Sequence, residues 1–243
     1  QQPSTLKEIR VHGTQDFPCA FYQTGTRIKG NMVKHHWHEE VELLYFSGGE
    51  FCLEINMERF EISEECFYFI NPGELHSISV EKNGGCVENA VVFHMDMLSS
   101  AYALDQIQTN LIQPVQNGSI QFPRCLRKNE PAFEPVRKSY EEIRNVFGGD
   151  SFRENYYDGE AVTDDITRQL FIKSALLRIL AVLSANNLFE VTEKNHDHRI
   201  ETIKTTLTYI QENYKEKIYI RDLAGLIGMN EQYFCRFFKK VIG

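Results

Sequence analysis

The chain of 243 residues has no run of about 18 apolar residues, so no membrane-spanning helix is expected. Its first residues, QQPSTLKEIRVHG, lack the basic-then-apolar order of a secretory signal. Six cysteines, at 19, 52, 66, 86, 125 and 235, form no CxxC pair. That scatter speaks against a zinc knuckle and a disulfide framework, and points to reduced thiols in a cytoplasmic protein. There is no GxSxG, no GxxxxGK[ST] and no GxGxxG, so no acyl-transfer or phosphate-binding pattern is present. Positive charge is also scarce: the net charge is −8, which by itself argues against a nucleic-acid binder. The deficit is uneven, however. Residues 199–243 carry eight Lys/Arg and five Asp/Glu, a net of +3, which leaves −11 on the first 198 residues. A mildly basic tail therefore follows an acidic body.

What the chain does have is 42% apolar residues, ample for a packed core. Short strands are expected around 20–22 and 26–29. From Met32 to Asn89 apolar residues alternate with polar ones between turn residues. Val41, Leu43 and Tyr45 precede Gly48–Gly49; Phe51, Leu53 and Ile55 follow it; Phe67–Ile70 precedes Pro72–Gly73; Asn83–Gly84–Gly85 precedes Val87–Phe93. Short strands at this spacing predict a β-barrel or double-sheet jelly roll. A helix over 97–108 is allowed by the pattern, and 114–131 reads mostly as loop with room for one strand. Two helices are expected at 135–147 and 165–186. The second is apolar over a wide arc, so part of it is expected to face another subunit. Residues 148–160 read as a polar loop, and 190–198, EVTEKNHDH, as a linker. A further helical stripe runs through Ile200, Ile203, Leu207, Ile210 and Tyr214.

The stretch Ile220–Val241 has the most specific spacing. Leu223, Leu226 and Ile227 line one face of a short helix, Gly228 breaks it, and Phe234, Phe237, Phe238 and Val241 form a second stripe. Ala224 allows close helix approach, Gly228 supplies a turn, and Asn230 is placed to cap the second helix. The pattern resembles a DNA-binding helix-turn-helix. On the polar side of its second helix lie Glu231, Gln232, Cys235, Arg236, Lys239 and Lys240. Arg suits the acceptor pair of guanine and Gln suits adenine. Cys235 can meet a thymine methyl, and Glu231 can accept from cytosine or complement the helix dipole. Lys239 and Lys240 suit phosphates. Double-stranded DNA is the expected partner.

A second cluster lies in HWHEEVE. On one strand His36, His38 and Glu42 point to the same face, and His76 can join them from a neighbouring strand. Two or three imidazoles and a carboxylate suit a divalent metal or a polar small molecule. Arg27, Tyr45, Glu54 and Tyr68 are further pocket candidates. HWHEEVE, Gly48 and the later NPGELH resemble the two motifs of the cupin superfamily. His36, His38 and Glu42 match the first motif's ligand positions, and His76 the second motif's histidine. Glu65 and Asn71 depart from it, standing where Gly and Pro are usual.

Barrel, two apolar helices, polar linker and helix-turn-helix, in that order, resemble the AraC/XylS family of bacterial transcription regulators. The resemblance implies an α+β chain. Residues 1–130 would form a cupin-like effector-binding barrel, 131–189 a helical dimerisation segment, 190–198 a linker and 199–243 the first half of an all-α DNA-binding domain. The effector would be a small molecule such as a sugar or small acid, and helices 135–147 and 165–186 would join a homodimer. No cofactor is required, although a divalent metal at His36, His38, Glu42 and His76 is compatible. The family carries a second helix-turn-helix, which would begin near Gly243; with the first alone, DNA binding is expected to be weak or not specific unless dimerisation or that further segment compensates. The competing reading is a metal-dependent cupin enzyme, an oxygenase or isomerase.

Overall fold

A computed structural model describes residues 6–8, 10–26, 28–82, 86–102, 104–148, 159–192 and 198–242. Eight strands come first: β1 (Cys19–Thr26), β2 (Gly30–His36), β3 (Val41–Phe46), β4 (Phe51–Ile55), β5 (Glu58–Ile62), β6 (Cys66–Ile70), β7 (His76–Val80) and β8 (Cys86–Phe93). They form two facing sheets. One has the order β10-β6-β3-β8-β1-β11, with β10 (Cys125–Arg127) and β11 (Gly159–Ala161) at its edges; the other has the order β2-β7-β4-β5. The jelly-roll expectation therefore holds.

Strand β3 shows why the sheets stack. All six of its residues are buried, because both of its faces are covered. Leu44 and Phe46 point inward with Phe51, Leu53, Ile78, Ala90 and Val92, forming the core between the sheets. Leu43 and Tyr45 point outward with Phe21, Phe67 and Val91, onto Phe133, Val136, Tyr140, Ile172, Leu176 and Leu180. Those last residues belong to α2 (Phe133–Val146) and α3 (Ile166–Ala185), close to the expected spans. The Asp165 carboxylate starts α3 by accepting the Arg168 N–H at 2.8 Å.

Several local expectations are corrected. The separate strand expected over 26–29 is not seen among the described residues: Thr26 ends β1. Residues 28 and 29 form a bend, with Ile28 exposed, and β2 begins only at Gly30. The helix expected over 97–108 lies later: a single 3₁₀ turn spans Met95–Leu98, and a wide turn at Gln108–Ile112 runs into α1 (Gln113–Gln116). Pro114 sits in the first turn of α1, where a missing N–H is tolerated. The stretch 114–131, expected to hold at most one strand, contains two, β9 (Ile120–Gln121) and β10, and the first two residues of the expected linker form β12 (Glu190–Val191), paired to β9. The β4–β5 hairpin turns on Asn56 and Met57, both at positive φ (49° and 69°). That is the backbone of a two-residue primed turn, which Asn favours and Met does not advertise. The expected turn at 83–85, residues 193–197 of the linker, and most of the 148–160 loop lie outside the described residues.

After α4 (His198–Asn213) come α5 (Ile220–Leu226) and α6 (Glu231–Ile242). Leu223, Ala224 and Phe234 form their common core, with Tyr209, Ile210, Ile218, Ile227, Met229 and Phe238 packed around it. Among the described residues, no helix is long and apolar enough to cross a membrane.

Candidate functional site

The chain leaves one sheet at His36 and enters the other at Val41, so residues 37–40 form a corner at the barrel mouth. His36, His38 and Glu42 are thus not on one strand as expected: His36 ends β2, His38 lies in the corner and Glu42 belongs to β3. They converge all the same. His76 opens β7, directly opposite His36 in the register. One donor atom from each of His36, His38, Glu42 and His76 lies within 4.8 Å of the others.

The tautomers follow from the second nitrogen of each ring. Nδ1 of His36, His38 and His76 lies 2.8, 3.2 and 2.9 Å from the backbone oxygens of Lys34, Glu40 and Glu74. A carbonyl can only accept, so each Nδ1 carries the hydrogen and each neutral ring turns an Nε2 lone pair toward the cluster. Glu42 Oε2 sits 3.2 Å from His38 Nε2 and 2.9 Å from His76 Nε2. The His76 contact lacks hydrogen-bond alignment, and that nitrogen is buried without a hydrogen-bond partner. A lone pair facing a carboxylate calls for a positive centre between them, a proton or a metal ion.

Electrostatics agree. Burial and then the charge of His76 push His36 down to about 4, so it is neutral near pH 7. Burial alone would also lower His38, but the Glu42 hydrogen bond and charge outweigh it and raise its pKa. Burial alone would raise Glu42; a proton on His38 Nε2, hydrogen-bonded to it, and the positive charge of His76 and His38 beside it hold it well below the usual carboxylate range. The donor set fits Fe, Mn, Ni, Cu or Zn, with backbone carbonyls fixing each ring from behind. His36, His38, Glu42 and His76 would hold such an ion, which would supply Lewis acidity and open positions for a ligand.

The remaining pocket candidates separate. Tyr45 lies on the opposite face of β3 from Glu42, against Tyr140 and Phe67, and its hydroxyl donates to Glu65 Oε1 at 2.7 Å. Strand periodicity alone places residues 42 and 45 on opposite faces. Tyr68 is on the inner face. Glu54 pairs with His35 at 3.0 Å in an exposed position. Arg27 lies outside the described residues. Sequence reasoning missed Glu8 and His12, which reach the same cluster from the N-terminal arm. Neither periodicity nor motif marks them; a fold is needed to bring residue 8 to residue 36.

The helix pair is built as its sequence suggests. Gly228 has φ +66°, its N–H donates to Gly225 O at 3.2 Å, and the Met229 N–H donates to Ala224 O at 2.9 Å. These two bonds form a Schellman motif, which satisfies the last carbonyls of α5. Asn230 Oδ1 accepts the Tyr233 N–H at 2.8 Å and caps α6. Tyr219 supplies no side-chain acceptor at the start of α5, but its own N–H donates to Asp222 Oδ2 at 3.2 Å, half of a capping box. Glu231, Gln232, Cys235, Arg236 and Lys239 are exposed; the side chain of Lys240 is outside the described residues. Ile220, Glu231, Gln232, Cys235 and Arg236 line one open groove.

Residues 24–145 match the model of the AraC-like ligand binding domain, half of the chain. The chain belongs to the AraC-like ligand-binding domain family. It is a transcriptional regulator of the AraC type. Over 245 aligned residues it is 26% identical to the HTH-type transcriptional regulator YdeC of Bacillus subtilis, covering 98% of this chain and 76% of that protein. Among solved structures, fatty-acid-bound ToxT of Vibrio cholerae aligns over 93% of this chain and 74% of its own, with 10% identity and a TM-score of 0.39. A cupin 2 conserved barrel domain protein of Rhodopseudomonas palustris aligns over 33% of this chain, with 14% identity and a TM-score of 0.29. This chain spans only 55% of that cupin's length.

Proposed function

We propose that this AraC-type regulator binds double-stranded DNA through α6, under the control of a small molecule held at His36, His38, Glu42 and His76. Residues 1–130 act as the effector barrel, 131–189 as the dimerisation segment and 199–243 as a DNA-binding unit. Arg236 and Gln232 read base edges; Glu231 and Cys235 flank them; Lys239 and Lys240 meet phosphates. The effector is a sugar or small acid, because imidazoles and a carboxylate offer both donors and acceptors to hydroxyl and carboxyl groups.

The observation that carries effector control is Trp37. It lies between two pocket histidines in the chain, and Lys204 of α4 sits 4.6 Å from its ring centroid. The Lys204 ammonium also donates to the backbone oxygen of Gly73, and Ile203 of α4 packs with Leu75. A change at His36 or His38 is thereby felt at the first helix of the tail. Homodimerisation is supported by α3, where Ile166, Leu170 and Leu177 are exposed on one stripe. The test is DNA binding by the full chain with and without candidate sugars and acids. His38→Ala and His76→Ala should abolish the effector's influence while leaving basal DNA binding within about threefold. Effector-dependent binding that survives both substitutions would remove these residues from the pocket.

The histidine and carboxylate geometry also favours a second reading, a metal-dependent cupin oxygenase or isomerase. Stoichiometric Fe, Mn or Ni with turnover of a small substrate would establish it in place of regulation alone.

A further inference from the structure

The N-terminal arm crosses the barrel mouth and is tied there by its backbone. The Trp37 N–H donates to Leu6 O at 2.8 Å, and the Glu8 N–H donates to Trp37 O at 2.9 Å. This register sets Glu8 Oε2 3.4 Å from His36 Nε2 and 3.5 Å from His12 Nε2. His12 is only 4% exposed. Its Nδ1 lies 2.7 Å from the Tyr22 hydroxyl, whose one proton is given to Glu160 Oε1 at 2.8 Å. The Tyr22 oxygen therefore accepts, His12 Nδ1 carries a hydrogen, and a neutral His12 ring presents a lone pair at Nε2. That nitrogen is buried and has no hydrogen-bond partner. The His12 and His38 rings meet edge-on with centroids 5.1 Å apart. One donor atom from each of Glu8, His12 and His38 lies within 4.8 Å of the other two. The 3.5 Å separation of His12 Nε2 and Glu8 Oε2 is long for a hydrogen bond. It matches the edge, about 3.4 Å, between two ligands each about 2.1 Å from one tetrahedral ion.

We propose that Glu8, His12 and His38 bind a divalent transition-metal ion, at a position beside the His36–His38–Glu42–His76 tetrad and sharing His38 with it. Two imidazoles and one carboxylate suit Zn, Co, Fe or Ni, and a fourth position stays open to water or an effector oxygen. Its consequence is mechanical. The ion pins the arm to the barrel, and Leu6 of that arm packs with Leu75 and with Ile203 of α4.

Cobalt(II) titrated into the metal-free full chain tests this, read by visible absorption and by trypsin cleavage after Lys7 and Arg10. The wild type should bind cobalt and gain protection of the arm. Glu8→Gln and His12→Gln should each weaken cobalt binding at least tenfold and lose the protection, with metal-free thermal melts unchanged. His76→Gln, which breaks the tetrad, should keep cobalt-dependent protection. Wild-type affinity and spectrum in both Glu8→Gln and His12→Gln would overturn the proposal, as would a wild type that binds no cobalt. Loss of all cobalt-dependent protection in His76→Gln would assign the ion to the tetrad alone and overturn it too. No DNA is involved, so failure here leaves the regulatory reading standing.

Discussion

Glu88 stands in register with Phe46 of β3 and so faces the apolar interior between the sheets. It is 2% exposed, and its Oε1 has no hydrogen-bond partner. Burial, then the charge of Glu42, raises its pKa well above the ordinary value, so the fold keeps a proton that the unfolded chain releases. Such a group costs stability as pH rises above about 4.5 toward its folded pKa. Glu88→Gln cannot ionise and should be the more stable protein, by about 1–3 kcal/mol at neutral pH, with an advantage that grows between pH 5 and 7. Thermal melts across that range check this; equal melting points at pH 7 would refute it. His36 works with the opposite sign. Its pKa is lowered to about 4 in the fold, chiefly by burial, so the unfolded chain binds a proton that the fold refuses. Its contribution is intact above pH 6.5 and is lost as pH falls toward 4. Relative to His36→Gln, the wild type should lose about 3 kcal/mol over that interval. Denaturant titrations of both proteins at pH 7 and pH 4.5 measure it; parallel losses would show that His36 is not held neutral.

At the scale of elements, α3 carries two unlike faces. Ile172, Leu176, Ile179, Leu180 and Leu183 are buried against the sheet and α2, while Ile166, Leu170 and Leu177 stand in solvent. Burying such a stripe in a dimer would return about 25 cal/mol per Å² of apolar area. Leu170→Glu with Leu177→Glu should leave the melting profile of the barrel in place but shift the protein from dimer to monomer in analytical ultracentrifugation. A wild type that sediments as a monomer at micromolar concentration would remove α3 as the dimer face. The same helix shows what sequence can reveal. Its length and apolar breadth were legible, and so were the strands flanked by glycine turns and the Asn230 cap, because each is set by local periodicity or local hydrogen bonding. The Asn56–Met57 turn was not, since Met at positive φ is imposed by the hairpin around it. Nor was the Glu190–Val191 strand, whose partner lies some 70 residues earlier.

At the scale of the molecule, the four motif residues of the site were legible by type, but the reason they converge was not. They meet because a corner carries the chain between sheets at residues 37–40, rather than because they share a strand face. Tyr45 was misplaced by the same neglect of sheet faces, and the arm residues Glu8 and His12 were invisible until the fold brought them to His38. Trp37 ties these parts together: Lys7 of the arm and Lys204 of α4 lie 4.7 and 4.6 Å from its ring centroid. Phe237 of α6 packs at the edge of the same cluster, so the helix proposed to read DNA touches the barrel's own rim.

DNA reading through α6 is the central claim, and selection from a random duplex pool followed by affinity measurement tests it most directly. The wild-type chain, dimerised, should enrich one motif, with weak affinity. Arg236→Ala should relax preference at one base pair and cost about 1–3 kcal/mol, whereas Lys239→Ala should weaken all sequences alike and reduce the salt dependence. An Arg236→Ala protein that enriches the same motif with the same affinity would contradict the account.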